Sequence, residues 1–231
     1  KEYVPTAEVI VELEKYLSTD PDLDAITFSG SGEPTLHSGI GEILAWLKEH
    51  YPQHRIVVLT NGTLLWQSEV RAALMQADLV VPSLDAVSEE IFRQINHPNK
   101  QLSNSEIIDG LITFCEEFDG EVWLEVFLIP GLNDTPEELA RFREVFDRLR
   151  VDRIQLNSLD RPGAMSWVQP MPRENLMAIA ALLGDEVEVI GKPVVRRSVA
   201  SFSENLRGRI LATIRVRPST LDDLAVTLGM H

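Results

Sequence analysis

The chain has 231 residues, 44% hydrophobic and 25% charged, with a formal net charge of -15. That fits one α/β barrel or two small globular domains, and the acidic balance sets the surface as a whole against nucleic acid and anionic membrane. The lone cysteine, Cys115, excludes a disulfide framework and any cluster or structural zinc site built from these residues alone.

No apolar run reaches the length of a membrane span and no signal peptide is visible, so no membrane partner and a cytoplasmic location are expected. The charge is uneven: from Gly191 onward seven basic residues stand against three acidic. Lys1-Glu2-Tyr3-Val4-Pro5 reads as the exit of a loop, and further residues are expected at both ends.

In chain order, Val9, Ile10, Leu13, Tyr16 and Leu17 share one face of a first helix, with Pro5 in its first turn. Asp20-Pro21-Asp22 breaks it, and Ala25–Phe28 follows as a strand ending in Ser29-Gly30-Ser31-Gly32-Glu33-Pro34. Here glycines on either side of Ser31 let backbone pass close to a ligand. Ile40, Ile43, Leu44 and Leu47 mark a second helix. The unbroken run Ile56–Leu59 suits a strand covered on both faces of a parallel sheet, and Thr60-Asn61-Gly62-Thr63 turns away from it.

Trp66–Gln76 is a third helix, and Leu79–Val81 a strand closed by Pro82-Ser83-Leu84-Asp85. Ser88, with Glu89 and Glu90, is placed as the cap of a short helix to Ile95. Ile107, Ile108, Leu111, Ile112, Cys115 and Phe118 form a longer helical stripe, so Cys115 reads as a small core residue. Val122–Leu128 is a strand, and Ile129-Pro130-Gly131-Leu132-Asn133-Asp134 its turn. Thr135-Pro136-Glu137-Glu138 carries an N-cap, a first-turn proline and a glutamate three residues after the cap. Arg153–Leu156, a helix through Leu176, Ile179, Ala180 and Leu183, and a weaker strand Val187–Ile190 complete the series.

Strand and helix alternate strictly, which implies βαβ units and a parallel sheet. Five clear strands and one weak one are too few for a closed eight-fold barrel. A partial barrel over residues 1–190 is expected, with a linker at 191–203 and a helical extension at 204–231. In that extension Leu206, Ile210, Leu211 and Ile214, then Ser219 to Leu228, resemble the opening of a winged-helix unit, or form a plain helical hairpin.

The strand-end turns hold Gly30, Gly32 and Glu33; Asn61 and Gly62; Ser83 and Asp85; Gly131, Asn133 and Asp134; Asn157, Asp160 and Arg161. In a parallel barrel these turns open on one rim, where active sites lie, so five polar turns point to a ligand there. A dinucleotide fingerprint fails because Thr35 stands where its third glycine belongs, and Pro34 resists an immediate helix. No Walker-type Gly-Lys-Ser/Thr occurs, and the five histidines lack metal-ligand spacing. The residues alone leave open a lyase or isomerase using Glu33 or Asp85 as a base.

The ordered set of motifs resembles the radical S-adenosylmethionine (SAM) enzymes. Ser29-Gly30-Ser31-Gly32-Glu33-Pro34-Thr35 is similar to their "GGEP" motif, and Leu59-Thr60-Asn61-Gly62 to the next strand end. Ser83-Leu84-Asp85 is similar to "SLD", and Ile129-Pro130-Gly131-Leu132-Asn133-Asp134 to "IPGxND". Gln94-Ile95-Asn96-His97-Pro98 resembles a segment that more often carries Arg at the position of His97. The likeness leans toward Fe–S oxidoreductases related to wyosine-type tRNA-modifying synthases. It implies a partial (β/α)6 TIM-like barrel, a [4Fe–4S] cluster on a Cys-x3-Cys-x2-Cys loop, and cleavage of SAM to a 5'-deoxyadenosyl radical that abstracts substrate hydrogen.

The resemblance further implies that Ser29, Gly30, Ser31, Gly32 and Glu33 hold the methionyl ammonium. Asn61, Ser83 and Asp85 then meet carboxylate or ribose, while Ile129 and the backbone near Asn157 meet adenine. It implies an electron donor such as flavodoxin or ferredoxin, and leaves the substrate open, with RNA and protein both candidates. The cluster loop is absent from these residues, so the metal ligands are expected upstream of Lys1. A non-catalytic SAM-binding or regulatory barrel with a DNA-binding-like tail is the alternative.

Overall fold

The computed structural model describes residues 1–30, 32–159, 165 and 167–191, and beyond these Ile210, Leu211, Ile214 and Leu224. Six parallel strands lie side by side in chain order: β1 (Ile26–Phe28), β2 (Ile56–Thr60), β3 (Leu79–Pro82), β4 (Glu121–Phe127), β5 (Arg153–Asn157) and β6 (Val187–Val189). Between them run α1 (Thr6–Leu17), ahead of β1, then α2 (Ile40–His50), α3 (Ser68–Leu74), α4 (Glu89–Asn96), α5 (Asn104–Glu117), α6 (Pro136–Phe146) and α7 (Arg173–Leu183). The sheet does not close, as the motif series implied: β1 and β6 stand at opposite edges.

Side-chain alternation divides the sheet into two faces. Ile56, Val58, Val80, Val122, Leu124, Val126, Ile154 and Leu156 point to the helices and join Leu44, Leu47, Leu111, Phe114, Phe142 and Leu176 in one core. The opposite, inner face carries a separate apolar group, Val57, Leu79 and Val81, backed by Trp123. Cys115 lies in the helix-side core, 5% exposed, and burial pushes its thiol up to about 12. It is a core residue, as its place on the stripe implied.

Two local expectations change. Ser88 makes no side-chain cap bond; the amides of Val87 and Ser88 instead donate to Glu138 Oε1 at 2.6 and 2.9 Å. Thr135 does cap α6, accepting from Glu138 N at 3.3 Å, but the Glu138 side chain turns inward, fully buried, rather than back to the cap. The helical expectation beyond Gly191 falls almost wholly outside the described residues; Ile210, Leu211, Ile214 and Leu224 are helical.

One buried amide ties the β3 and β4 exits together. Asn133 is 0% exposed; its Nδ2 donates to the carbonyls of Asp85 and Phe127 at 2.8 and 2.7 Å, and its Oδ1 accepts from Ile129 N at 2.7 Å. Gly131, at φ +76°, makes the turn that presents it. Asn133→Ala removes the partner of one buried amide and two part-buried carbonyls, and should cost about 3 kcal/mol. Urea unfolding followed by circular dichroism measures this; a loss within a few tenths of a kcal/mol would contradict the strut.

Candidate functional site at the strand-end rim

Beyond Phe28 the chain leaves β1 through Ser29, Gly30 and Gly32, all exposed, and Glu33 caps a 3-10 turn over Pro34–Leu36. Ser31 lies outside the described residues. Neither Gly30 nor Gly32 has positive φ, and a Cβ on Gly32 would meet nothing within 4 Å. Local packing does not call for these glycines. The backbone that needs glycine lies at Gly62, φ +70°, and Gly131.

Glu33 is the most constrained side chain of the rim. Its Oε1 accepts from Thr35 N at 3.1 Å, Thr35 Oγ1 at 2.6 Å and Thr60 Oγ1 at 2.6 Å. Its Oε2 accepts from Asn61 N at 2.7 Å. Thr35 and Thr60 are buried, 6% and 4% exposed. A carboxylate offers about four acceptor positions. Oε1 is therefore filled, and Oε2 keeps room for another donor.

The neighbouring turns present further polar groups. Asn61 Oδ1 is spent on the amide and hydroxyl of Thr63, at 3.0 and 2.6 Å. Ser83 N donates to Thr60 O at 3.0 Å, while its hydroxyl has no partner among the described residues. Asp85 accepts from Phe127 N at 3.0 Å and Asn96 Nδ2 at 3.1 Å. Burial, with a contribution from the charge of Glu125, raises its carboxyl from 3.8 to about 6, although those two hydrogen bonds pull the other way.

Asn157 Nδ2 donates to Glu125 Oε1. The Oδ1 atoms of Asn96 and Asn157 are both buried with no partner. Ile129 is 5% exposed and backs the rim from beneath. Asp160 and Arg161 lie outside the described residues.

The structure thus gathers Glu33, Asn61, Ser83, Asp85, Ile129 and Asn157 at the strand ends. It adds four residues not singled out from the sequence: Thr35, Thr60, Asn96 and Glu125. Two had a signal. Thr60 directly precedes the Asn61-Gly62 turn, and Glu125 breaks an otherwise apolar strand.

His37, beside the rim, is structural: its Nε2 lies 2.9 Å from Val4 O and its Nδ1 accepts from Gly39 N. At the other end of the sheet a cleft of about 640 Å³ includes Asp78, Glu121 and Asp152 in its lining. Asp78 and Asp152 accept strand amides there, from Ile56 and Val122. Such groups at the N-terminal ends of strands serve stability.

Residues 1–143 match the Radical SAM superfamily, and the chain belongs to it. A "GTPase Obg" of Brachyspira hyodysenteriae is 40% identical over 159 residues, 69% of this chain but 23% of that protein's length. A UPF0026 protein of Methanocaldococcus jannaschii is 28% identical over 226 residues, 94% of this chain and 69% of its own. The fold is also that of a radical SAM methyltransferase from Sphaerobacter thermophilus, at a TM-score of 0.63 and 19% identity, over 80% of this chain and 56% of that one. The unclosed six-stranded parallel sheet is the partial barrel of this superfamily.

The Asp85 carboxyl makes stability depend on pH. Between 3.8 and about 6 the folded chain holds a proton that the unfolded chain has released, so stability falls as pH rises through that window. Asp85→Asn removes this titration, and a flip of Asn96 brings its orphan Oδ1 round to accept from the new amide. Melting temperatures of the two proteins should converge near pH 4 and diverge toward pH 7, with the variant more stable; parallel curves would exclude a raised Asp85.

Proposed function

We propose that this chain is the SAM-holding barrel of a radical enzyme that generates a 5'-deoxyadenosyl radical for hydrogen abstraction. The observation that carries the reading is the Glu33 carboxylate, immobilised by four hydrogen bonds with Oε2 left able to take one more. A primary ammonium, such as that of the SAM methionyl group, is the fitting occupant: it gains a charge-assisted bond to a carboxylate already oriented for it.

The remaining groups sort by hydrogen-bond sense. Once ionised, Asp85 is an acceptor only, which suits ribose hydroxyls and disfavours the methionyl carboxylate. The Ser83 hydroxyl and Asn61 Nδ2 are donors and suit that carboxylate. Ser29, Gly30 and Gly32 bring backbone beside the methionyl group. Ile129 and the backbone near Asn157 form the side toward adenine.

The electron for SAM cleavage would come from a [4Fe–4S] cluster, reduced by a donor such as flavodoxin or ferredoxin. The residues here do not fit the cluster: the one cysteine is buried, with its thiol near 12. Its thiolates would come from outside these 231 residues, and the work of this chain is to bind, orient and exclude water. A second reading, a non-catalytic SAM-binding or regulatory barrel, is motivated by the basic balance from Gly191 onward. No helix among the described residues is long and apolar enough to cross a membrane, and a cytoplasmic location is part of the proposal.

Full-length protein, reconstituted anaerobically with iron and sulfide, should take up a cluster and release 5'-deoxyadenosine under a strong reductant. SAM binding without cluster uptake or cleavage would select the non-catalytic reading, and no SAM binding would reject both.

Within the site, Glu33→Ala should weaken SAM binding by about 10- to 100-fold, the worth of one charged hydrogen bond. Thr60→Val frees Oε1 from its β2 anchor and should cost about tenfold, with Thr60→Ser restoring affinity. Isothermal titration measures all three; equal affinities across them would remove Glu33 from the site.

A further inference from the structure

The inner face of the sheet is split in a way that a packed barrel core does not explain. On β2 and β3 it presents Val57, Leu59, Leu79 and Val81, of which Leu59 is 37% exposed. On β4, β5 and β6 the same face turns polar beyond Trp123. The register sets Glu125 beside Gln155 and Gln155 beside Glu188, one row across three strands. The interior of a closed barrel is filled mainly by branched aliphatic side chains. Two carboxylates and an amide in one row suit a surface that receives a ligand.

The direction of every hydrogen bond on this wall is the informative feature. Gln155 Nε2 donates to Glu188 Oε1 at 2.8 Å, and Asn157 Nδ2 donates to Glu125 Oε1. Both side-chain amides therefore spend donors on the carboxylates. Glu125 Oε2, Gln155 Oε1 and Glu188 Oε2 accept nothing from the described residues, and Asn157 Oδ1 is buried with no partner. The row thus shows a ligand mainly acceptors, two of its members being carboxylates, with one further N–H on each amide.

The cations nearby are engaged one row lower. Arg153 and Arg55 stand over the Trp123 ring, 4.8 and 5.5 Å from its centroid. Arg55 also pairs with Glu121 at 2.7 Å, and Arg153 reaches Glu188 Oε1 only at 3.5 Å.

We infer that the β4–β6 wall is the substrate subsite, and that it selects a substrate group carrying several donors on a positive charge: a guanidinium or primary ammonium on a peptide side chain. Glu125 and Glu188 are its specificity-determining residues. The flanking apolar strip of Leu59 and Val81 takes the aliphatic stem of such a side chain. Phosphate and carboxylate groups are turned away, because this row offers them acceptors and negative charge. Calling the occupant a substrate rests on SAM occupying the adjacent rim; the wall's preference for cations does not.

Binding of three capped amino acids to the chain, without SAM or cluster, tests the assignment by saturation-transfer NMR and isothermal titration. They are N-acetyl-arginine methylamide, its neutral citrulline isostere and N-acetyl-glutamate methylamide. The arginine probe should bind about tenfold more tightly than the isostere, the worth of one charge-assisted contact, and the glutamate probe should not bind. Glu188→Gln should abolish the arginine preference while leaving SAM affinity and melting temperature unchanged. Glu125→Gln should reduce the preference independently, so the conclusion does not hang on one variant.

Equal binding of arginine and citrulline probes, binding of none at millimolar concentration, or a Glu188→Gln effect on SAM in place of the probe would each overturn the proposal. Loss of SAM binding by the parent chain with the arginine preference intact would instead reject the cofactor reading and leave the cation subsite standing.

Discussion

The hydroxyl of Thr60 donating to Glu33 is the contact on which the rim depends. It joins two neighbouring strands at their exits, so the turn after β1 cannot move without the turn after β2. Thr60 Oγ1 also accepts from Gly62 N at 3.1 Å, which places Asn61 so that its amide reaches the other carboxylate oxygen. Buried on Thr35 and Thr60, the donors face little competition from water. A carboxylate set in this way has lost most of its freedom before any ligand arrives, and the ordering cost of binding is correspondingly small.

Asn133 does for β3 and β4 what Thr60 does for β1 and β2. Between these two anchors lie Ser83, whose amide donates to Thr60 O, and Asp85, whose carboxylate accepts from Phe127 N and whose carbonyl accepts from Asn133 Nδ2. The rim is therefore a chain of short polar links across strand ends, made both between side chains and from side chain to main chain. The helices contribute a rigid apolar backing, and the inner face remains for a ligand. Its polarity is graded, aliphatic on β2 and β3 and acceptor-rich on β4 to β6.

The fold was legible in the sequence because the apolar pattern switches cleanly between runs of four or five and helical stripes. Ile56–Leu59 reads as a strand covered on both faces and is buried except at Leu59, and Leu79–Val81 reads as a strand and is a buried one. The Thr135 cap and Pro136 fixed the start of α6. Ser88 misled because serine before two glutamates is a cap by composition, whereas the free amides there had a better partner in Glu138, fifty residues away and invisible to local reasoning.

At the site, the turn residues were legible because glycine, asparagine and aspartate mark strand exits. The residues that hold them were not. Nothing local to Thr60 says that its hydroxyl meets Glu33. The inward alternation of Glu125, Gln155 and Glu188 appears only once the register across three strands is known.

A structure of the chain bound to SAM or S-adenosylhomocysteine tests the central claim most directly. The ligand's amino nitrogen should lie within hydrogen-bond distance of Glu33 Oε2, its ribose hydroxyls should face Asp85, and the Thr60–Glu33 bond should be unbroken. A ligand bound away from the strand-end rim, or one whose amine ignores Glu33 while its carboxylate faces Asp85, would contradict it.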